Sequence, residues 1–327
     1  MDFSIIEGQK QITGILQRAV QNNQVAHAYI FSGPKGIGKR TVARIFARLL
    51  LCSSGNSGKA CGECLPCRMM EAGTNPDYYV LAAEDASIGV DDIRNMQNNM
   101  AVRPMYSPRK VYLIEEADKM TVQAQNCLLK TLEEPPPYSV IILAASNYHV
   151  FLETVLSRAV KLDFKKYGPD EIKRAIYKKF GKYSEHTDFI ISYSDGIIGT
   201  ALMLEQSEAF AWLRERTIDV LINLTSQKSS YIFKAYDFFE ENKEDIDIIL
   251  DIFTSFYRDV YLAYTAGKDS ILINSDRKDI IFNEFGNFVP SKLLKNIRIV
   301  EETRNNIRQN ANFQLSIEVM LMKLQEE

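Results

Sequence analysis

Residues 33–41 read "GPKGIGKRT". Gly33, Gly38 and Lys39 fit the phosphate-loop pattern G-x-x-x-x-G-K-[ST], and Gly36 adds a third glycine. Arg40, however, stands where a Ser or Thr hydroxyl would hold Mg²⁺. Thr41 follows, but a shift of one residue on a helix turns a side chain by roughly 100°. Closely spaced glycines let backbone N–H groups approach a polyphosphate at a helix N-terminus, and Lys39 adds a point charge toward the β- and γ-phosphates. The plain alternative is a Gly-rich turn that only joins a strand to a helix.

The flanking residues separate those two readings. "VAHAYIFS" (25–32) is a short apolar run of strand character, and "RTVARIFARLLL" (40–51) has apolar residues at helical spacing. Strand, loop, helix is the setting that a phosphate loop requires. Further strands are expected at 77–83 ("DYYVLAA"), 110–117 ("KVYLIEEA") and 139–146 ("SVIILAAS"), with helices at 90–103 and 121–134. Strands buried on both faces and separated by helices imply a parallel α/β sheet. Beyond about residue 164 the strand signal fades. "GPDEIKRAIYKKFGK" starts a small helical segment, and long amphipathic patterns follow from 208. Ile248, Ile249, Ile252, Phe253, Phe256 and Val260 form one apolar face, and Leu315, Val319, Met322 and Leu324 another in the last helix. The expected organisation is an α/β nucleotide-binding-like domain (1–164), a small helical lid (165–206) and a helical domain (207–327).

Composition narrows the function classes. The chain has 327 residues, 46% hydrophobic and 25% charged, with a formal net charge of −3. An acidic balance argues against binding nucleic acid by bulk charge. No apolar run is long enough to span a bilayer, and "MDFSIIEGQK" lacks the features of a signal peptide, so a cytoplasmic location is expected.

"VYLIEEADKM" (111–120) is an apolar strand ending in two acids, Glu115 and Glu116. In phosphate-loop enzymes the first acid assists Mg²⁺ and the next can polarise water, although here Glu replaces the usual Asp. A solvated strand end is the bland alternative. Four of the five cysteines lie within "CSSGNSGKACGECLPC": Cys52, Cys61, Cys64 and Cys67. Four thiolates with C-x₂-C pairs suit a closed structural Zn²⁺ site, with an iron–sulfur cluster or free thiols as alternatives. Cys127 sits on an apolar helical face and reads as a core residue. Arg158, in "LSRA", reads on its own as a surface residue.

"HAYIFSGPKGIGK", the cysteine cluster, "GTNPDYY", "VYLIEEADKM", "NCLLKTLEEPP" and "LSR" occur in an order that resembles bacterial sliding-clamp loaders of the AAA+ superfamily. "NANFQLSIEVMLMKL" resembles their last collar helix, so the resemblance spans essentially the whole chain. It implies an oligomerising collar for 207–327 and, as partners, gamma/tau motor subunits, a delta subunit, the sliding clamp and primed DNA. Two subunit types compete: the hydrolysing motor and its non-hydrolysing relative, delta prime. Arg40, Glu115 and Gly199, which aligns where motors carry an Arg, each remove a part of hydrolysis, and no long tau-like tail follows the collar. The resemblance therefore implies the delta prime type, with ATP binding possible and hydrolysis not expected. Ser157 and Arg158 match the Ser-Arg-Cys motif, with Ala159 in place of Cys. Arg158 would then be an arginine finger acting in the neighbouring subunit's ATP site.

Overall fold

A computed structural model describes residues 2–54, 58–83, 87–226, 231–267, 272–283 and 289–325. Residues 55–57, in the spacer between Cys52 and Cys61, lie outside the described residues.

Five strands, β1 (Ala28–Ser32), β2 (Tyr78–Leu81), β3 (Lys110–Ile114), β4 (Ser139–Ala145) and β5 (Val160–Asp163), form one sheet in the order β2-β3-β4-β1-β5. All four pairings are parallel. Every residue of β1, β3 and β4 is buried, which is why these segments read as continuous apolar runs. The acids at 115 and 116 fall outside β3, in the turn that follows it. The fifth strand was not expected from the sequence. Its residues, "VKLD", bury only Leu162, so an edge strand with two charges carries little strand signal.

Helices α1 (Lys10–Gln21), α2 (Lys39–Leu51), α3 (Leu65–Ala72), α4 (Val90–Met100), α5 (Val122–Glu133) and α6 (Glu153–Leu156) join the strands. α2 buries Val42, Ile45, Phe46, Leu49 and Leu50, the spacing expected of a helix lying on a sheet. α5 begins at a Thr121 cap whose side chain accepts a hydrogen bond from Ala124 N. Cys127 lies half-buried beside the buried stripe of α5, which is Ala124, Gln125, Leu128 and Leu132, so it borders the core and does not fill it.

The chain divides into two compact units, one comprising 1–179 and 195–200, the other 180–194 and 201–327. The segment 165–206 is therefore shared: most of α7 (Pro169–Phe180) belongs with the sheet and α8 (Thr187–Tyr193) with the helical unit, while α9 (Ile198–Leu204) straddles the boundary. The second unit continues with α10 (Glu208–Ser226), α11 (Tyr231–Glu241), α12 (Ile246–Ala266), α13 (Lys278–Asn283), α14 (Pro290–Arg308) and α15 (Phe313–Gln325). Its core is built around α12, where Ile249, Ile252, Phe253, Phe256 and Val260 are buried and Ile248 packs against them. The last helix corrects the sequence reading. Leu315, Val319 and Met322 are exposed, and the buried stripe is Ile317, Met320, Leu321 and Leu324. α15 is apolar around most of its circumference, so periodicity alone offered two acceptable faces and packing selected one.

Candidate functional site

The loop after β1 adopts positive φ at each glycine, +150° at Gly33, +81° at Gly36 and +102° at Gly38, before α2 begins at Lys39. These are conformations that glycine adopts without the Cβ penalty. Gly33 N donates to Ala145 O at 3.2 Å, which ties the loop to β4. Gly199 closes over the loop from the other side. Its N–H donates to Gly36 O at 2.8 Å, and a Cβ at Gly199 would approach that same oxygen to 2.6 Å. A cavity of about 530 Å³ remains, lined by the loop, Glu115, Glu116, Asp118 and Gly199.

The cations around this cavity are engaged internally. Lys39 Nζ, expected to face a phosphate, turns back and donates to Gly33 O and to Pro34 O, the latter at 2.9 Å. Burial holds its ammonium below the usual lysine range, opposed by Asp118 and Glu116. Arg40 Nε lies 2.7 Å from Glu115 Oε1. That oxygen is buried and accepts no hydrogen bond, so the contact is an ion pair without a directed N–H. Glu116 pairs with Lys119 at 2.6 Å and Lys35 at 3.3 Å, and these contacts hold its carboxyl below the usual carboxylate range. Thr41 is exposed.

Arg158 lies toward the opposite end of the strands, just before the edge strand β5. β5 runs parallel to β1 with Val160 opposite Tyr29, so Arg158 precedes the start of that pairing while the loop follows Ser32 at its end. The four paired positions of β1 and β5 lie between the two, roughly 13 Å at 3.3 Å per residue. Arg158 Nη1 donates to Thr154 O at 3.0 Å and to Ser157 Oγ at 3.2 Å, and Nη2 forms an ion pair with Glu133 Oε1 at 2.9 Å. Sequence reasoning had treated Glu133 only as part of "LLKTLEEPP". A faint signal was available: Glu133 ends α5, where the helix dipole disfavours an acid unless a cation offsets it.

The four cysteines converge. Cys52 ends α2, Cys64 precedes α3, and the sulfur atoms of Cys52, Cys61, Cys64 and Cys67 all lie within 4.8 Å of one another. Cys52 Sγ is 3.5 Å from Cys61 Sγ and 3.9 Å from Cys64 Sγ. Tetrahedral zinc with bonds of about 2.3 Å places its sulfurs about 3.8 Å apart, so the set can hold such a metal ion. Backbone N–H groups of Cys64 and Glu63 lower the Cys61 thiol to about 6, whereas burial pushes Cys67 up to about 12. "GTNPDYY" has a structural explanation. Buried Asp77 accepts backbone hydrogen bonds from Met105 (2.8 Å), Tyr106 (2.9 Å) and Ser107 (2.9 Å), anchoring the approach to β3.

Two family models match, "DNA polymerase III, delta subunit" over residues 8–168 and "DNA polymerase III, delta subunit, C terminal" over 209–326. The DNA polymerase III subunit delta' of Bacillus subtilis is 28% identical over 98% of this chain and 97% of its own length. That of Pseudomonas aeruginosa is 44% identical over 42% of this chain and 43% of its own length. The Bacillus subtilis subunit tau is also 28% identical over 98% of this chain, which spans 61% of the tau length. No described helix is long and apolar enough to cross a membrane. With one model on the sheet and another on the helical region, the chain belongs to the DNA polymerase III delta-subunit family.

Proposed function

We propose that this chain is the non-hydrolysing, delta prime-type subunit of a bacterial AAA+ clamp loader. It organises the complex in the cytoplasm with gamma/tau motor and delta subunits, and it supplies Arg158 to a neighbour's ATP site while the sliding clamp is loaded onto primed DNA. The observation that carries the reading is the Arg40–Glu115 ion pair, in which the residue at the motif position of the Mg²⁺-holding hydroxyl engages the acid expected to assist the metal ion. Lys39 turned onto loop carbonyls and Gly199 pressed against Gly36 support it. Phosphoryl transfer depends almost wholly on positioned charge, and here Lys39 and Arg40 are turned toward groups of their own chain. Arg158, at the opposite end of strands β1 and β5 from its own loop, is placed away from that loop's phosphate site, which supports a role toward another subunit.

Cys52, Cys61, Cys64 and Cys67 are assigned to one structural Zn²⁺ with no open coordination position. Elemental analysis should find one zinc per chain; iron, or no metal, removes the assignment. The purified chain alone should hydrolyse ATP negligibly, and calorimetry should find at most weak nucleotide binding. The motor reading draws on the tau relative, which matches this chain over nearly its whole length. It requires that the isolated chain turn over ATP and that Lys39→Ala abolish that turnover.

A further inference from the structure

The Arg158 guanidinium is ion-paired within its own chain. Nη1 donates to Thr154 O and Ser157 Oγ, and the remaining nitrogen of the fork, Nη2, faces Glu133 Oε1 at 2.9 Å. A guanidinium grips a phosphate through two nitrogens of one edge, and each edge that presents two terminal or side-on donors includes Nη2. Glu133 therefore occupies the nitrogen that a two-pronged phosphate contact needs. Glu133 is the last residue of α5, and its side chain is 51% exposed against 35% for Arg158.

We propose that Glu133 is a competing counter-ion that keeps the Arg158 guanidinium paired within its own chain until a neighbour's polyphosphate displaces it. The inference rests on the reading of Arg158 as a trans-acting finger. Two properties make the exchange workable. A half-exposed ion pair contributes little stability, so it opens at small cost. A transferring phosphoryl group carries more negative charge than one carboxylate, so it wins the guanidinium once it is in reach. A neighbour site without nucleotide offers no such charge, and Arg158 stays with Glu133. The pair thus couples the finger to the nucleotide state of the partner. Glu133 acts through Arg158 and is not itself catalytic.

The test compares wild type, Glu133→Gln, Arg158→Ala and the double variant, each assembled with the ATP-hydrolysing partner subunits. Steady-state ATP turnover is measured at low and high salt. Glu133→Gln removes the charge while keeping the shape, and thermal melting and co-purification check that each variant folds and assembles. Releasing an exposed pair should raise turnover about 2- to 5-fold at low salt. The gain should shrink at high salt, because screening already weakens the wild-type pair. It should vanish in the Arg158→Ala background. Unchanged or lowered turnover in Glu133→Gln overturns the proposal, as does a gain that persists without Arg158. If Arg158→Ala itself leaves turnover unaltered, the finger reading fails first, and with it the premise of this one.

Discussion

The phosphate loop and the Arg158 corner sit at opposite ends of two neighbouring strands, β1 and β5, and both present cations. They differ in what that charge faces. At the loop, Lys39 donates to backbone carbonyls of its own loop and Arg40 pairs with Glu115, while backbone from 195–200 closes over Gly36. At the corner, Arg158 is held by a carbonyl, a hydroxyl and one half-exposed carboxylate, all within reach of solvent. Lys39, whose carbonyl contacts lie half-buried inside its own loop, resists recruitment by a ligand, whereas the ion pairs of Arg40 (side chain 77% exposed) and Arg158 (35%) are open to solvent and can exchange partners readily. The two places therefore differ in the inward hydrogen bonds of Lys39 and the closure of Gly199 over Gly36, and not in whether their arginines are open to solvent.

Removing the Arg158 guanidinium tests the available side of that contrast and should have the largest effect. Finger residues contribute roughly 10³–10⁵ in rate, about 4–7 kcal/mol of transition-state stabilisation. Arg158→Ala should fold and assemble normally yet abolish the turnover of the one neighbouring site that depends on it, read by single-site nucleotide turnover and by clamp loading onto primed DNA. Arg158→Lys should not rescue, since an ammonium lacks the planar fork. Normal loading in the Ala variant erases the difference between the two regions.

Gly199→Arg tests the closed side. It places an arginine at Gly199, where the resemblance to motor subunits puts one, but its Cβ would meet Gly36 O at 2.6 Å. Overpacking of this kind costs about 1–3 kcal/mol, so the melting temperature should fall and no ATPase activity should appear. A gain of hydrolysis would mean that the loop opens more readily than its contacts imply.

Lys39→Ala should have the smallest effect. It removes hydrogen bonds to Gly33 O and Pro34 O, worth about 0.5–1.5 kcal/mol each, and leaves turnover of the assembled complex nearly unchanged. A large loss of turnover would return catalysis to this chain's own loop and reverse the comparison.

The sequence by itself determined the elements whose information is local. Glycine spacing at 33, 36 and 38, the apolar runs of β1, β3 and β4, the helical spacing in α2 and the cysteine spacing at 52–67 all depend on neighbouring residues. The substitutions at 40, 115 and 199 could likewise be read as departures from a motif. Only the tertiary structure decided the rest. It added the edge strand β5, whose four residues carry almost no pattern, and it chose Ile317, Met320 and Leu321 over Leu315, Val319 and Met322 as the buried face of α15. It also joined Arg40 to Glu115 and Arg158 to Glu133 across 75 and 25 residues of chain. Backbone periodicity and φ preference are set within a few residues of each position. Partner choice for a charge is set by which elements the sheet brings together, and that is a property of the packed molecule.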